Sequence, residues 1–345
     1  MDLSGYTFSK WLNNEYIPNN PDKLWIKEFS SKAVKKSIMN ADKAFRDFFK
    51  KEKGFPRFKK KREQKTKMYA PKNSKNDWKT EQHRIKIPTI GWVQLKEFGY
   101  IPSEKAGNKI KNGVVSRKAD KYYVSVTFEI SEEPEKIEEF TEGLGIDLGI
   151  KNFAVLNTGE TFKNINKTSR IKKLEKKLKR EQRKLSRKFE SYSRRNRGGE
   201  SATRKNLDKQ IVKVQKMHLR LNNHRTDYIN KIISNLIERK PSYIVLEDLD
   251  VRGMMKNRHL SKAIQKQNFY TFREKLTNKC NEVGIEMRIV DRYYPSSKTC
   301  LGCGHIKVNL TLFDREYHCE ACGLQLDRDV NAGKNLKNAE EYKIA

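Results

Sequence analysis

The sequence predicts an α/β protein of two or three domains, and three features carry that prediction. Two short apolar segments, within Glu142–Asn157 and Pro241–Gly253, have the pattern of β-strands that contain or lead into acidic residues. Between them, Ile171–Arg239 carries apolar residues at helical spacing. Two cysteine pairs near the C-terminus have the spacing of a metal site. A chain of 345 residues is too long to fold around one ordinary hydrophobic core, so more than one domain is expected.

The charge of the chain is strongly positive. Lys and Arg number 75 against 43 Asp and Glu, which gives a formal net charge of +32 and a pI near 9.8. Such a field attracts polyanions, of which nucleic acid is the commonest; the alternative is a merely solubilising surface. The sequence contains no apolar run of about 20 residues and no recognisable signal peptide. We therefore expect no membrane partner. Four of the five cysteines have the spacing of a metal site rather than of a disulfide framework, which favours a reducing, intracellular setting.

Residues 1–60 are predicted to be helical. Phe29–Lys51 lacks Pro and Gly and places apolar residues near helical spacing. The following segment, Gly54–Lys65, breaks the helix and contains a run of basic residues. We interpret that run either as a loop that contacts phosphate or as a solvated linker. The candidate contacts are Lys59, Lys60 and Lys61.

Residues 61–135 are predicted to form a small β-barrel. Short alternating segments follow one another from Met68 to Ile130. Basic residues alternate with the aromatic residues Trp92, Phe98 and Tyr100, as in barrels that bind oligonucleotides, although core aromatics would give the same pattern. The acidic Ser131–Glu142 then predicts a linker between domains.

Asp147 is the first candidate catalytic residue. The segment Glu142–Asn157 has the pattern of a strand, a tight turn and a second strand. Asp147 shares one face of the first strand with Gly145 and Gly149, and we interpret this bare face as room for a hydrated metal and a phosphodiester. The alternative is an aspartate that caps a neighbouring turn.

Residues 167–240 are predicted to form a basic helical hairpin. Two apolar stripes flank a polar join with a pair of glycines. The segment Arg170–Arg197 carries 14 Lys and Arg against 3 Glu, whereas a solvated helix face normally mixes both signs. We therefore predict contact with a phosphate backbone. The candidate residues are Arg170, Lys172, Lys173, Lys176, Lys177, Arg180, Arg183, Lys184, Arg187, Arg194, Arg195 and Arg197.

Glu247 is the second candidate catalytic residue. It follows the apolar run Ile244–Leu246, so it lies at the end of a buried strand, where open α/β sheets place ligands. Asp248 and Asp250 are interpreted as solvent-facing or structural.

Four of the five cysteines form two CxxC pairs separated by 15 residues. This spacing predicts a tetrahedral thiolate site, most simply for Zn²⁺, with an iron–sulfur cluster as the minor alternative. Four thiolates leave no open position on the metal, so the zinc is predicted to be structural. The predicted ligands are Cys300, Cys303, Cys319 and Cys322, within a metal-binding module at 296–325.

Asp329 is the third candidate catalytic residue. The segment Leu326–Glu341 has the pattern of a final helix. The purely structural interpretation makes Asp329 its N-cap, and capping is compatible with metal binding because a carboxylate has two oxygens. Asp327 is the weaker candidate. Three acids brought together by folding would repel one another unless cations share them. Two Mg²⁺ ions held by Asp147, Glu247 and Asp329 would suit phosphodiester hydrolysis.

Several segments together resemble the TnpB (OrfB) family of insertion-sequence-encoded, RNA-guided DNA endonucleases, which are related to type V CRISPR effectors. The resemblance runs from about Gly143 to Leu336 and preserves the order of the motifs. A resemblance before the barrel, carried by SSKAVKKSIMNADKAFRDFFK and the following GFPRFKKK, extends it to most of the chain. The motifs are GIDLGIKNFAVLNTGE, YIVLEDLDVRGMMKNRHL, DRYYPSSKTCLGCG, CEACG and DRDVNAGKNL.

The resemblance implies an RNase H-like (RuvC-type) nuclease domain over 143–345. Asp147, Glu247 and Asp329 match the family's three catalytic positions, and the four cysteines match its zinc-binding insertion. The barrel and the helical segment would bind guide RNA and the duplex beside the target, while base pairing would read the target DNA. A cytoplasmic, nucleoid-associated bacterial protein is implied.

The sequence departs from the family at its N-terminus, which begins inside the family's first barrel region. We expect this to affect guide binding and targeting more than chemistry. Two alternatives to the endonuclease therefore stay open: an RNA-guided DNA-binding repressor, and a decayed transposon protein with little cleavage activity. A strand-transferring transposase rests on fold alone.

Overall fold

The computed structural model describes residues 4–58, 67–74, 76–102, 108–129, 137, 139–199, 203–311 and 314–345. The predicted phosphate contacts Lys59, Lys60 and Lys61 lie outside these residues. The chain divides into two compact units, Met1–Glu133 and Pro134–Ala345. The finer assignment of domains by function stays a prediction. No helix among the described residues is long and apolar enough to span a bilayer.

The first unit begins with helices. A π-helical turn, Leu12–Tyr16, joins the first two, and a 3-10 segment, Pro21–Glu28, precedes the third. The side chain of Ser4 caps the first helix by accepting a hydrogen bond from the Thr7 amide. The third helix is two residues shorter at each end than the predicted Phe29–Lys51. The helices are α1 (Gly5–Trp11), α2 (Ile17–Asn19) and α3 (Ser31–Phe49).

Two three-stranded antiparallel sheets complete the first unit. Their strands are β1 (Lys67–Pro71), β2 (Lys79–Thr80), β3 (Arg84–Ile87), β4 (Gly91–Gln94), β5 (Lys109–Lys118) and β6 (Lys121–Glu129). One sheet has the order β1-β5-β6 and the other β2-β3-β4. They share a core around Trp78, whose indole packs where any side chain at Gly113 would stand. No hydrogen-bonded pair among the described strands joins the sheets, so the barrel stays a prediction.

Aromatic residues of the first unit divide between core and surface. Trp78 is fully buried and donates a hydrogen bond to the Ala70 carbonyl at 3.0 Å. In contrast, Trp92, Phe98 and Tyr100 are 42%, 72% and 83% exposed. The reading of these three as core aromatics is therefore wrong.

A six-stranded sheet forms the second unit, in the order β14-β11-β10-β7-β8-β9. The central strand β10 is parallel to β7 and β11, and the other pairs are antiparallel. A separate hairpin, β12–β13, lies in the cysteine module. The strands are β7 (Leu144–Leu148), β8 (Asn152–Leu156), β9 (Thr161–Lys163), β10 (Tyr243–Glu247), β11 (Glu286–Val290), β12 (Glu316–His318), β13 (Gln325–Asp327) and β14 (Lys343–Ile344).

Helices cover both faces of this sheet. One face packs against α5 and α8 through the largest apolar cluster, which includes Ile146, Leu246 and Phe272. The last helix, α9, packs against the other face, where Val245 joins Leu336. The helices are α4 (Ser169–Arg197), α5 (Lys205–Glu238), α6 (Val251–Met254), α7 (Ser261–Gln267), α8 (Phe269–Val283) and α9 (Arg328–Lys337).

Gly145 allows α9 to lie directly on the backbone of β7. A Cβ atom at this position would stand 2.0 Å from the Gly333 carbonyl oxygen and 2.5 Å from the Lys337 nitrogen. A Cβ atom at Gly333 would stand 2.9 Å from the Asn157 nitrogen and 3.1 Å from the Leu156 carbonyl carbon, at the end of β8. The face beside Gly145 is therefore occupied by a helix, which corrects the interpretation of this glycine as open space for a substrate.

A buried polar contact sets the register of the α4–α5 hairpin. Gln210 donates from Nε2 to the Glu181 carboxylate at 2.8 Å and to its main-chain carbonyl at 3.1 Å. Lys184 and Lys213 pair with the same carboxylate. Hydrogen bonds from Gln210 and Lys213 lower the pKa of Glu181 to about 2, so this side chain stays ionised.

Candidate active site and cysteine cluster

Asp147 and Glu247 lie on adjacent parallel strands. The register pairs Leu246 with Ile146, and its continuation by one residue places the two acids side by side. Neighbouring strands are about 4.8 Å apart. Both residues are at or next to the carboxyl ends of their strands, the edge at which open α/β sheets bind ligands.

The two acids also share a face of the sheet. Ile146 and Leu246 point into the cluster shared with α8, and successive side chains of a strand alternate between faces. Asp147 and Glu247 therefore point toward the side of the sheet that carries α9. The helix α9 packs on this face, and Asp329 in its first turn is close enough to Asp147 for its charge to raise the pKa of that carboxyl group.

The N-cap of α9 is Asp327, not Asp329. Its Oδ1 accepts hydrogen bonds from the amides of Asp329 at 2.9 Å and Val330 at 3.2 Å. The prediction that Asp329 caps the helix was therefore wrong by two residues. Because Asp327 satisfies the free amides, the Asp329 carboxylate is not engaged in capping. Its Oδ1 instead lies 3.0 Å from Nη2 of Arg328.

The acids interact electrostatically. Burial, together with the charges of Asp329 and Glu247, raises the pKa of Asp147 to about 7, although Arg328 opposes the shift. Burial and the neighbouring Asp248 raise the pKa of Glu247 to about 7. Both carboxyl groups are therefore held in an environment that disfavours negative charge unless a cation enters it.

These acids fit divalent metal ions by donor type. Carboxylate oxygens are the ligands that Mg²⁺ prefers, and a cation would relieve the repulsion that raises the pKa of Asp147. The oxygens of Asp147, Glu247 and Asp329 are not all within 4.8 Å of one another. A single ion held by all three is thus not preformed.

The four predicted zinc ligands form one cluster. Their sulfur atoms all lie within 4.8 Å of one another, and no other set of three or more potential ligands among the described residues meets that limit. Two of the sulfur pairs, Cys300–Cys322 and Cys303–Cys319, are each 3.6 Å apart. Tetrahedral Zn–S bonds of about 2.3 Å require sulfur atoms about 3.8 Å apart. The cluster therefore has the size of a zinc site.

The surroundings of the cysteines favour the thiolate form at Cys319, whereas hydrogen bonds within the cluster raise the pKa of Cys322 to about 12 and contribute to a raised pKa at Cys303. Hydrogen bonds from the backbone amides of Cys322 and Ala321 lower the pKa of Cys319 to about 6. Tyr317 is fully buried beside Cys300 and Cys319, and its hydroxyl donates to the Lys298 carbonyl at 3.0 Å. His305 and His318 do not belong to the cluster.

Two asparagines that the sequence analysis did not identify connect the cysteine module to the acids. Asn331 donates to the Thr299 carbonyl at 2.7 Å and accepts from the Leu301 amide at 3.3 Å. Asn335 donates to the Ser296 and Thr299 carbonyls at 2.8 and 2.7 Å. Both lie on α9 and are buried. Their four-residue spacing on a predicted helix was the available signal.

Two further residues hold the turn that follows Asp147. Asn164 donates to the Ile150 carbonyl at 2.7 Å, and the buried Gln267 donates to the Gly149 carbonyl at 3.2 Å. Neither stands in a motif or pattern that distinguishes it in the sequence. They fix the chain immediately beyond Asp147.

Asp248 and Asp250 have structural contacts. Asp248 pairs with Arg273 at 2.6 Å and with Arg292 at 3.3 Å. Asp250 accepts a hydrogen bond from the Gly253 amide at 3.0 Å and thereby caps α6. These contacts agree with the interpretation of both residues as structural.

All twelve basic residues named on the hairpin lie on α4 and are exposed. Lys184 pairs with Glu181 and Arg194 with Glu190. The surface is thus open to a polyanion, while its contact with nucleic acid stays a prediction.

Two family models match the chain. Residues 125–258 match the OrfB_IS605 model, described as "Probable transposase", and residues 269–336 match the model described as "Cas12f1-like, TNB domain". The first match contains Asp147 and Glu247, and the second contains Asp329 and the four cysteines.

Relatives match over nearly the full chain. A protein of Escherichia coli strain K12 named "Putative RNA-guided DNA endonuclease InsQ" is 29% identical, over 96% of this chain and 83% of its own length. A "Putative RNA-guided DNA endonuclease" of Streptomyces pristinaespiralis is 30% identical, over 96% and 76%. The "CRISPR-associated endodeoxyribonuclease Cas12f1" of Sulfoacidibacillus thermotolerans is 24% identical, over 63% and 50%.

One solved structure is similar in fold. It is a Cas12f1 chain from a complex with single-guide RNA and target DNA, with a TM-score of 0.55 over 91% of this chain and 71% of that chain. Sequence identity to it is 15%.

Proposed function

We propose, because the chain belongs to the TnpB (OrfB) family of RNA-guided DNA endonucleases, that it cuts DNA at sites chosen by a bound guide RNA. The observation that carries this proposal is the placement of Asp147 beside Glu247 on adjacent parallel strands, with Asp329 in the first turn of the helix that packs on the same face. Three acids in that position suit the hydrolysis of a phosphodiester.

The second unit would serve as the RNase H-like nuclease domain. Its mixed sheet, with parallel strands that end at Asp147 and Glu247, supports this assignment. The cysteine cluster would hold a structural Zn²⁺. The hydrogen bond from Asn331 to the Thr299 carbonyl would fix α9 relative to that cluster. In that arrangement the metal site positions Asp329 without taking part in chemistry.

Asp147, Glu247 and Asp329 would hold two Mg²⁺ ions. When bound, these ions supply an activated water and stabilise the leaving oxygen of the phosphodiester. Asp147 and Glu247 would bind in the ionised form and release any protons they carry, since both pKa values lie near 7 without a cation. Asp327 would keep α9 in place through its capping hydrogen bonds.

The partners would be guide RNA and target DNA. The exposed basic face of α4 and the exposed aromatics of the first unit support contacts with polynucleotide backbone and bases. Base pairing of the guide, rather than protein side chains, would select the sequence.

The test is to express the protein together with its own flanking genomic DNA. We expect RNA to copurify, and its sequence to identify a target that is cut in Mg²⁺. Asp147→Ala should abolish cutting and leave RNA binding unchanged. Protein that retains RNA and binds matching DNA yet never cuts would favour the RNA-guided repressor, and protein without specific RNA would favour a decayed transposon product.

A further inference from the structure

A cavity of about 480 Å³ lies beside Glu247 on the second unit. Its walls come from the ends of β7 and β10, the loop after β10, and the first turn of α8. Arg292, just beyond the end of β11, completes the lining. The volume falls in the range of small-molecule sites. Glu247 is the residue shared by the lining and the acid site, so an occupant would lie at the same edge of the sheet as the acids.

Guanidinium groups line this cavity. Arg273 donates from Nη1 to Oδ1 of Asp248 at 2.6 Å, and Arg292 lies 3.3 Å from Oδ2 of the same carboxylate. A third arginine, Arg252, is exposed at the rim. Each guanidinium carries five N–H donors, and the hydrogen bond from Arg273 to Asp248 uses one of them. Asp248 therefore orients Arg273 and leaves donors for a phosphate oxygen.

An aromatic ring stands at the same cavity. Tyr270 is 57% exposed, and its hydroxyl donates to Glu274 at 2.7 Å, a contact that holds the ring in one orientation. Phe269 beside it is buried and closes the floor. An exposed, anchored aromatic ring is a platform on which a nucleobase can stack, whatever the base.

We propose that this cavity binds one nucleotide of a single-stranded nucleic acid, with its base on Tyr270 and its phosphate at Arg273 and Arg292. The proposal rests on the proposed function, since it identifies the cavity as the seat of the nucleotide adjacent to the scissile phosphodiester. A bound nucleotide would explain why an apolar floor, an exposed aromatic ring and oriented guanidinium groups occur together at the edge of the sheet that carries Glu247. A structural role for the ion pairs alone would not require an exposed tyrosine.

The experiment uses the full chain with Asp147→Asn, so that no substrate is consumed. The probe is a short single-stranded DNA that contains 2-aminopurine, whose fluorescence falls when it stacks on an aromatic ring. We expect quenching on binding. Tyr270→Ala should remove that quenching and weaken affinity about tenfold, whereas Tyr270→Phe should retain both. Arg273→Gln should weaken affinity and reduce its dependence on salt.

The matched control is Tyr293→Ala, since Tyr293 is 85% exposed and does not line the cavity. It should bind and quench like the parent. Equal binding by the parent, Tyr270→Ala and Arg273→Gln would overturn the proposal. The same substitutions are then placed in protein with Asp147 intact. Normal cleavage by all of these variants would refute the cavity site and leave the proposed hydrolysis standing. Quenching that depends on Tyr270, in a protein that cuts no DNA, would refute the proposed hydrolysis and leave the cavity site standing.

Discussion

The Nδ2 atom of Asn331 lies 2.7 Å from the carbonyl oxygen of Thr299, so the helix that carries Asp329 is tied to the loop that carries Cys300. Asn331 is fully buried, and its side chain both donates and accepts. Alanine has neither group, so we expect Asn331→Ala to leave the Leu301 amide unpaired. A loss of about 1–3 kcal/mol in unfolding free energy should follow.

Thermal or denaturant unfolding of Asn331→Ala measures that loss, and calorimetric titration with Mg²⁺ measures whether the acids are displaced. The matched control is Asn338→Ala, since Asn338 is exposed at the end of the same helix. Equal stability and equal Mg²⁺ affinity in both variants would show that the hydrogen bond does not position Asp329.

The cysteine cluster predicts one zinc ion per chain. Cys303→Ala removes one of four thiolates, and we expect loss of zinc and increased protease cleavage within 296–325, because this segment has only a small apolar cluster of its own. Elemental analysis and limited proteolysis measure the two effects. Cys280→Ala is the control: Cys280 is buried in the main core, away from the cluster, and the variant should keep its zinc. A wild-type chain purified without zinc would contradict the assignment.

The raised pKa values of Asp147 and Glu247 predict a pH dependence of stability without divalent cations. Both pKa values are about 7 in the folded chain against 3.8 and 4.5 ordinarily. Between those limits the folded state holds protons that the unfolded state has lost, so unfolding free energy falls as pH rises toward and through 7. For Asp147 alone the loss is at most about 4 kcal/mol.

Denaturant unfolding at about pH 5.5 and about pH 8 in buffer without Mg²⁺ measures the part of this loss that falls above pH 5.5, about 2 kcal/mol for Asp147. Asp147→Asn cannot ionise there and should flatten the profile, and added Mg²⁺ should restore stability mainly at the higher pH. A wild-type profile as flat as that of Asp147→Asn would mean that this carboxyl group titrates normally.

The basic face of α4 predicts RNA binding that depends on salt. Replacing Lys176, Arg180 and Arg183 together by Gln should weaken affinity for the copurified RNA. It should also reduce the slope of log K against log salt by up to about 3, one unit for each lost phosphate contact. The control replaces three exposed cations elsewhere, Lys256, Arg258 and Lys262. Equal losses in both triple variants would indicate a general charge effect rather than a site on α4.

Much of the second unit could be predicted because its signals are local. A few residues of sequence are enough to recognise each of three features: the strand that carries Asp147, the strand that ends at Glu247, and the two CxxC pairs. The long hairpin was predicted from periodicity, although Phe189, an apolar residue near that helical spacing, is 55% exposed.

What could not be predicted depends on contacts distant in sequence. Either aspartate of the DRD motif can cap a helix, so the sequence does not decide between Asp327 and Asp329. The structure decides for Asp327, whose backbone is non-helical and whose side chain accepts the capping hydrogen bonds. Arg273 and Arg292 meet at Asp248 across different elements, so no spacing signals the cavity they line. The role of Gly145 was misread because its neighbour, α9, begins 183 residues later.

Gly145 and Gly333 have no side chains, and the packing there limits which mutations the chain tolerates. Even alanine at either position would push apart the two backbones that meet there and carry Asp329 away from its partners. In a saturation library we expect both sites to reject every replacement, as strictly as the acids do. Intolerance at these two positions would reflect the close packing of α9 on the strands. From a list of inactive variants alone, the two glycines would be mistaken for catalytic residues.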